Sequence, residues 1–338
     1  MRHSAVIFLT LAVLAAAQSV KPPAPQVTHP PGSLVKVNGA NLWYESEGQG
    51  EPLILISGGP GDSHGAYHPF FSQLAAHNRV IYYDPLGVGR SARPQSNKEY
   101  SFARDVEDLE GLRKALNLGA VNIYGHSYGS MVAQAYALKY PQSVRRLILG
   151  APFHSGAMWQ ANDDSCNEEI RKQFPEVWDA LQKLRAKGMV SSAPEHQRLY
   201  GSVPLGLFYF HDASKADLLP SEASNQDLYY QLAGPDADFH IGGDIAALDF
   251  RPRLAGLKMP MLVIAGRFDR VSIPRLTLEY RKFAPAARFV MMENSGHFSF
   301  LEEPEKTLSV LREFLAGKPA QGSSAIARSW TRRATVTP

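Results

Sequence analysis

Three side chains stand in an order and at positions that suit acyl transfer: Ser127, Asp269 and His297. A serine hydroxyl is a weak nucleophile at neutral pH. It needs a base to take its proton, and the base needs an acid to orient it. Ser, then acid, then His is one of the chain orders in which such triads occur. Ser127 lies in "VNIYGHSYGSMVAQAY" (121–136), where G-x-S-x-G spans Gly125–Gly129. That pattern alone is weak, and "GDSHG" (61–65) repeats it around Ser63. The flanks separate the two. A nucleophile elbow needs a strand running into the serine and a helix leaving it. Val121–Tyr124 reads as the strand and Met131–Tyr140 as the helix, with small Ala133, Ala135 and Ala137 for close packing and Pro141 past the end. Ser63 follows the glycine loop "SGGPG" with no strand directly before it, and reads as the N-cap of the next helix.

Asp269 ends the strand-like run "MLVIAGRFD", and His297 sits in "ENSGHF" after the last strand-like run. The preceding strand end, "LGAPFH", offers no competing acid. A strand-end Asp is often only a turn residue and a lone His is often structural. The order and the shared strand-end placement favour the catalytic reading. A tetrahedral intermediate also needs preorganised N–H donors. The backbone of Tyr128, next to the nucleophile, is one candidate. The loop "SGGPG" (57–61) supplies the other, at Gly59 first and Gly58 second.

These residues require a sheet that brings strand ends together. "SLVKVNGANLWYESEGQG" reads as a hairpin around Asn38-Gly39, a type I′ pair. Buried strands are expected at 52–57, 78–84, 121–126, 145–151, 261–269 and 287–297, and helices at 64–77, 101–118, 130–140, 274–283 and 304–315. Continuous apolar strands alternating with helices imply an α/β fold, a mostly parallel sheet covered on both faces, with the hairpin as an antiparallel edge. From 154 to 249 the alternation stops. Helical runs such as "NEEIRKQFPEVWDALQKLRAKG" and the aromatic "YGSVPLGLFYF" suggest an inserted helical cap over the C-terminal strand ends.

Outside the core, 33–153 and 250–316, other segments have their own signatures. Residues 1–17 carry Arg2, an apolar run from Ala5 and Ala15-Ala16-Ala17, as expected of a secretory signal cleaved near Ala17; the run is short for a bilayer span. Residues 18–32 read as a Pro-rich linker and 317–338 as a disordered tail. The net charge is +3, with no long basic run, which argues against nucleic acid as a partner. The single cysteine, Cys166, excludes an internal disulfide and reads as an incidental thiol. No H-E-x-x-H or clustered Cys/His spacing points to a metal.

"SGGPG", "YYDPLGVGRSARP", "GHSYGSMVAQAYALKYPQSVRRLIL", "AGRFDRVSIP" and "SGHFSFLEEPE" resemble the α/β-hydrolase superfamily, most closely its proline iminopeptidase branch, peptidase family S33. The resemblance covers about residues 33–316 and implies an eight-stranded sheet with a helical cap, a Ser–Asp–His triad on the positions above, and no cofactor. It departs from the family at Ser57, where His is usual, at His126 and Tyr128 of the elbow, and at Asp84-Pro85-Leu86-Gly87. The expected activity is that of an exported serine hydrolase releasing N-terminal residues from short peptides or similar small molecules. A carboxylesterase or lactonase is the alternative, and a non-catalytic binding protein a third. Epoxide hydrolases and haloalkane dehalogenases need Asp at position 127. A peptidase that reads a free amine needs carboxylates, which in this family come from the cap. "NDDSCNEEI" offers Asp163, Asp164, Glu168 and Glu169, with Glu168 or Glu169 expected to bind substrate. Against this, Ser165-x-x-Glu168 also reads as a capping box at a helix start.

Overall fold

The computed structural model describes residues 28–204, 206–219 and 224–317. The expected signal, most of the linker and the tail lie outside them. Among the described residues no helix is long and apolar enough to cross a membrane.

Eight strands form one sheet in the order β1-β2-β4-β3-β5-β6-β7-β8. β1 (Gly32–Val37) and β2 (Ala40–Glu47) make the expected antiparallel hairpin. Asn38 and Gly39 take φ of 45° and 89° at its turn, the left-handed pair a type I′ connection requires. β2 joins β4 (Asn78–Tyr83) antiparallel, and every later pairing is parallel. β3 (Glu51–Ile56), β5 (Val121–His126), β6 (Val144–Gly150), β7 (Met261–Gly266) and β8 (Arg288–Met292) complete the sheet.

The continuous apolar runs are explained by a core on each face. Ile54, Ile123, Leu147 and Val263 pack into one, with α1 (Phe102–Ala115) and α2 (Tyr128–Lys139). Their neighbours Leu53, Tyr124, Ile148 and Leu262 pack into the other, with the C-terminal helix Pro304–Leu315. Strand order reverses at β3, between β4 and β5. The crevice beyond those strand ends is where ligands bind in open α/β sheets.

Five expected elements shift. Residues 64–77 form two 3₁₀ turns, His64–Tyr67 and Phe71–Leu74, not one helix. Pro69 between them has no N–H and disfavours helical backbone at His68. Residues 274–283 form two single turns, Pro274–Thr277 and Tyr280–Phe283. β7 ends three residues before Asp269 and β8 five before His297, so both side chains are on loops. Finally, α3 runs Gly156–Gln173, capped by Ser155, whose side chain accepts from Met158 N. Ser165 and Glu168 are therefore inside a helix, not at its start.

The chain from β6 to β7 is helical: α3, then α4 (Pro175–Arg185), then shorter helices at Pro194–Tyr200, Gly206–Tyr209 and Gln226–Ala233. Its two ends are pinned together. Gly156 N donates to Leu248 O at 2.8 Å and Phe250 N to His154 O at 2.9 Å.

Candidate active site

β5 runs straight into Ser127, and α2 leaves from the next residue. The turn puts Ser127 at φ 54°, ψ −123°, a backbone state that costs a non-glycine residue about 1–3 kcal/mol. Close packing holds it there. A Cβ at Gly125 would strike the Gly129 carbonyl, and one at Gly129 would strike the carbonyls of Ile56 and Ser57. Ser127 N is tied to Gly150 O at 2.9 Å. Both glycines are thus dictated by contact, and Ser127 is left on the wall of a cavity of about 80 Å³.

His297 lines the same cavity. Its backbone N donates to Tyr209 O at 2.7 Å, and its Nδ1 lies 2.9 Å from Asp269 Oδ2. The other Asp269 oxygen accepts from Val271 N and Ser272 N at 2.8 and 2.7 Å. Nδ1–H donating to Asp269 leaves Nε2 as the basic nitrogen, a tautomer assigned from the bonding. All three side chains are buried, and the fold brings the sequence-predicted trio to one place. His126 is packed beside His297, 4.8 Å between ring centroids, and against Phe298 at 5.2 Å. Burial, with the His297 ring beside it, holds its pKa well below the usual 6.5, so it is a neutral wall.

The two candidate donor segments are also here. Gly58 and Gly59 line the cavity with Ser127, and a Cβ on Gly58 would stand 3.3 Å from the Ser127 Cβ. Tyr128 is the first residue of α2, where backbone N–H groups have no partner within the helix. Its phenol is anchored away, donating to Asp105 Oδ2 at 2.5 Å.

A larger cavity of about 480 Å³ lies under the helical insertion. It shares Gly59, Asp62 and Tyr209 with the first. Asp62, Asp163 and Asp238 line it, and no Lys, Arg or His does among the described residues. Asp163 Oδ2 is buried without a hydrogen-bond partner. Burial, with Asp238 nearby, pushes the Asp163 carboxyl well above its ordinary range. Burial raises Asp238 to about 7 and Asp62 to about 6. Asp62 is crowded by protein on most sides, yet its own side chain is exposed and opens into both cavities. Tyr200, Tyr229 and Phe208 add aromatic walls.

Glu168 and Glu169 are not part of this lining. Glu168 is exposed and pairs with Arg171 at 2.7 Å and Lys172 at 3.1 Å. Glu169 bonds Gln173 and faces Arg270 at 3.7 Å. Asp164 accepts from Gln160 on the surface. Helical phase is the reason. Asp163, Cys166 and Ile170 follow i, i+3, i+7 on the inward face of α3, which puts Glu168 outward. Sequence reasoning left out Asp62 and Asp238. Asp62 lies within the second G-x-S-x-G match, a usable signal, whereas "GPDADFH" marks nothing at Asp238. Ser63, as expected, is an N-cap, its side chain accepting from Gly65 N. Cys166 donates to Arg270 O at 3.2 Å, and burial pushes its thiol far up, which keeps it unreactive.

Comparison with known proteins agrees with this architecture. Residues 51–304 match the family model for the alpha/beta hydrolase fold. Proline iminopeptidase of Heyndrickxia coagulans is 31% identical over 278 residues, 80% of this chain and 93% of the relative. Proline iminopeptidase of Saccharolobus solfataricus is 27% identical over 290 residues, 83% and 90% of the two chains. Among solved structures, proline iminopeptidase of Mycobacterium smegmatis superposes with a TM-score of 0.68 at 23% identity, covering 85% of this chain and 98% of that one. An esterase from Exiguobacterium antarcticum superposes at 0.61 and 20%, covering 85% and 100%, so the fold by itself leaves the acyl substrate open. The chain is a hydrolase of the α/β-hydrolase family, and it belongs among the family's proline iminopeptidase-like members.

Proposed function

We propose that the protein is a serine aminopeptidase that releases an N-terminal residue, proline or another small residue, from short peptides. One observation carries this reading: the cavity adjoining Ser127 and His297 holds Asp62, Asp163 and Asp238 with no cationic side chain on its described lining. Several carboxylates gathered in one cavity without a cation on its lining are costly to ionise, and a protonated substrate amine is the counter-ion that would relieve them. The aromatic walls suit a prolyl ring or an apolar side chain, and add cation–π attraction for the amine.

In this reading the amine sits among the three carboxylates, which sets the first carbonyl against Ser127. His297 Nε2 takes the serine proton as Oγ attacks. The N–H groups of Tyr128 and of Gly59 or Gly58 hold the oxyanion. His297 then returns the proton to the leaving amine, and water opens the acyl-enzyme by the same route. Asp269 keeps the imidazole oriented and stabilises its cationic form. Discrimination for a free amine over an acylated one tests the reading. An esterase or lactonase would be indifferent to it.

The same proposal includes export after cleavage near Ala17, on the composition of residues 1–17 alone. Mass spectrometry of protein recovered outside the cytoplasm should find a chain starting near Gln18, and an intact Met1 there would contradict it.

A further inference from the structure

Away from the two cavities, four side chains of metal-binding type converge beside the antiparallel edge of the sheet. His29 comes from the segment before β1, Glu45 from β2, and His64 and His68 from the start and the C-cap of the first 3₁₀ turn. One ligand atom from each lies within 4.8 Å of the other three. Glu45 Oε2 is 2.9 Å from His29 Nδ1, 3.2 Å from His64 Nε2 and 3.3 Å from His68 Nε2. A tetrahedral zinc ion with bonds of about 2.0–2.2 Å spaces its ligand atoms about 3.3 Å apart.

Two of the three nitrogens also lack a hydrogen bond, while His29 Nδ1 is bonded to Glu45 Oε2. His64 Nε2 and His68 Nε2 are buried and have no hydrogen-bond partner, although both approach the Glu45 carboxylate. Meanwhile the outward atoms of the ligands are engaged. His64 Nδ1 lies 2.7 Å from Asp84 Oδ1, so the neutral ring donates there and turns Nε2 toward the cluster, where a cation would take the place of its proton. His68 Nδ1 lies 3.4 Å from Ser72 Oγ. Glu45 Oε1 accepts from Trp43 Nε1 at 3.0 Å and Arg90 Nη1 at 3.3 Å, leaving Oε2 inward. Such outer partners are what orient metal ligands.

We propose that His29, Glu45, His64 and His68 form a structural binding site for zinc or a divalent transition cation of its class. Three imidazoles and one carboxylate suit zinc, whereas calcium and magnesium favour all-oxygen shells. Four protein ligands in a buried setting leave no open position, which is the arrangement of structural sites. The ion would clamp the segment before β1 to the loop that carries Gly58, Gly59 and Asp62 into the active site. A chain whose only cysteine is Cys166 has no disulfide for that task. Without a cation the rival state is a proton-bridged network: burial lowers the His64 pKa, but Asp84 and Glu45 outweigh it and hold the imidazole up to about 9.

The test uses the full chain, stripped with a chelator, then titrated calorimetrically with zinc and, separately, with magnesium and calcium. Bound metal is counted by elemental analysis after desalting. The proposal expects one zinc per chain, a raised Tm with zinc, and no response to magnesium or calcium. His68→Ala and His29→Ala should each weaken zinc binding by about 100-fold or more, and Ser72→Ala by about tenfold. Far-UV circular dichroism confirms that each variant folds. His29 is the most exposed of the four, so His29→Ala serves if His68→Ala does not fold. No zinc retained above the buffer blank would overturn the proposal. So would zinc held equally well by wild type and His29→Ala, which would place the ion elsewhere.

Discussion

His297 Nδ1 lies 2.9 Å from Asp269 Oδ2, while Asp269 Oδ1 takes the backbone N–H groups of Val271 and Ser272 at 2.8 and 2.7 Å. The carboxylate is fixed by three donors, so it has one orientation in which to hold the imidazole. An amide there must turn its NH₂ toward one of those donors. Asp269→Asn should therefore favour the wrong tautomer and lower kcat by about 10⁴. The measurement is kcat on a protein whose circular dichroism matches wild type. Activity near wild type would move the orienting acid elsewhere.

Ser127 should be the residue that a phosphonofluoridate labels. Ser127→Ala should abolish labelling and turnover together, and Ser63→Ala should keep the label because Ser63 serves as a turn cap. Peptide mapping that finds the label on Ser63 would reverse the two roles.

The trio and most of the sheet were legible because their signals are local. A branched run followed by Gly125 and Gly129 specifies an elbow by steric need, and Asn38-Gly39 specifies its hairpin turn. What was not legible depends on phase or on distance. Starting α3 near Ser165 rather than at Gly156 turned the wrong acids inward, which is how Glu168 and Glu169 displaced Asp163. Asp238 reaches the cavity from a separate loop after the Gln226–Ala233 helix. The His29, Glu45, His64 and His68 cluster comes from three places in the chain. Only the four-residue spacing of His64 and His68 hinted at it, and the 3₁₀ turn that uses that spacing was read as a longer helix.

Helical phase gives a direct contrast. Glu168→Gln should leave turnover of a free-amine substrate within about twofold, since its partners are the surface residues Arg171 and Lys172. Asp163→Asn should raise KM for the same substrate by about ten- to a hundredfold, the worth of a charge-assisted contact of about 1.5–3 kcal/mol. Steady-state kinetics on both variants decide it, and the opposite ranking would put the amine site on the outer face of α3.

The raised carboxyls predict a pH dependence in binding and in stability. Asp238 sits at about 7 and Asp62 at about 6, both above the ordinary 3.8 because burial disfavours their charged forms. An amine is held by the ionised forms, so KM for a free-amine substrate should fall as pH rises through 6 to 7. For stability the sign is opposite. The folded state keeps these protons longer than the unfolded chain does. Their contribution is fully present below about 3.8 and is lost as pH rises through about 6 to 7. Asp238→Asn removes its share, so its Tm should gain on wild type across that window. Parallel Tm curves for the two proteins from pH 4 to 8 would contradict the assignment.

On the proposed function, the acidic cavity reads a free N-terminal amine for acyl transfer at Ser127. The most direct measurement is kcat/KM for a prolyl arylamide against its N-acetylated form, in wild type and in Asp163→Asn. Acetylation should cost wild type about ten- to a hundredfold, and Asp163→Asn should lose most of that discrimination. Equal turnover of the two substrates by wild type, or faster turnover of a short acyl ester that lacks any amine, would contradict it.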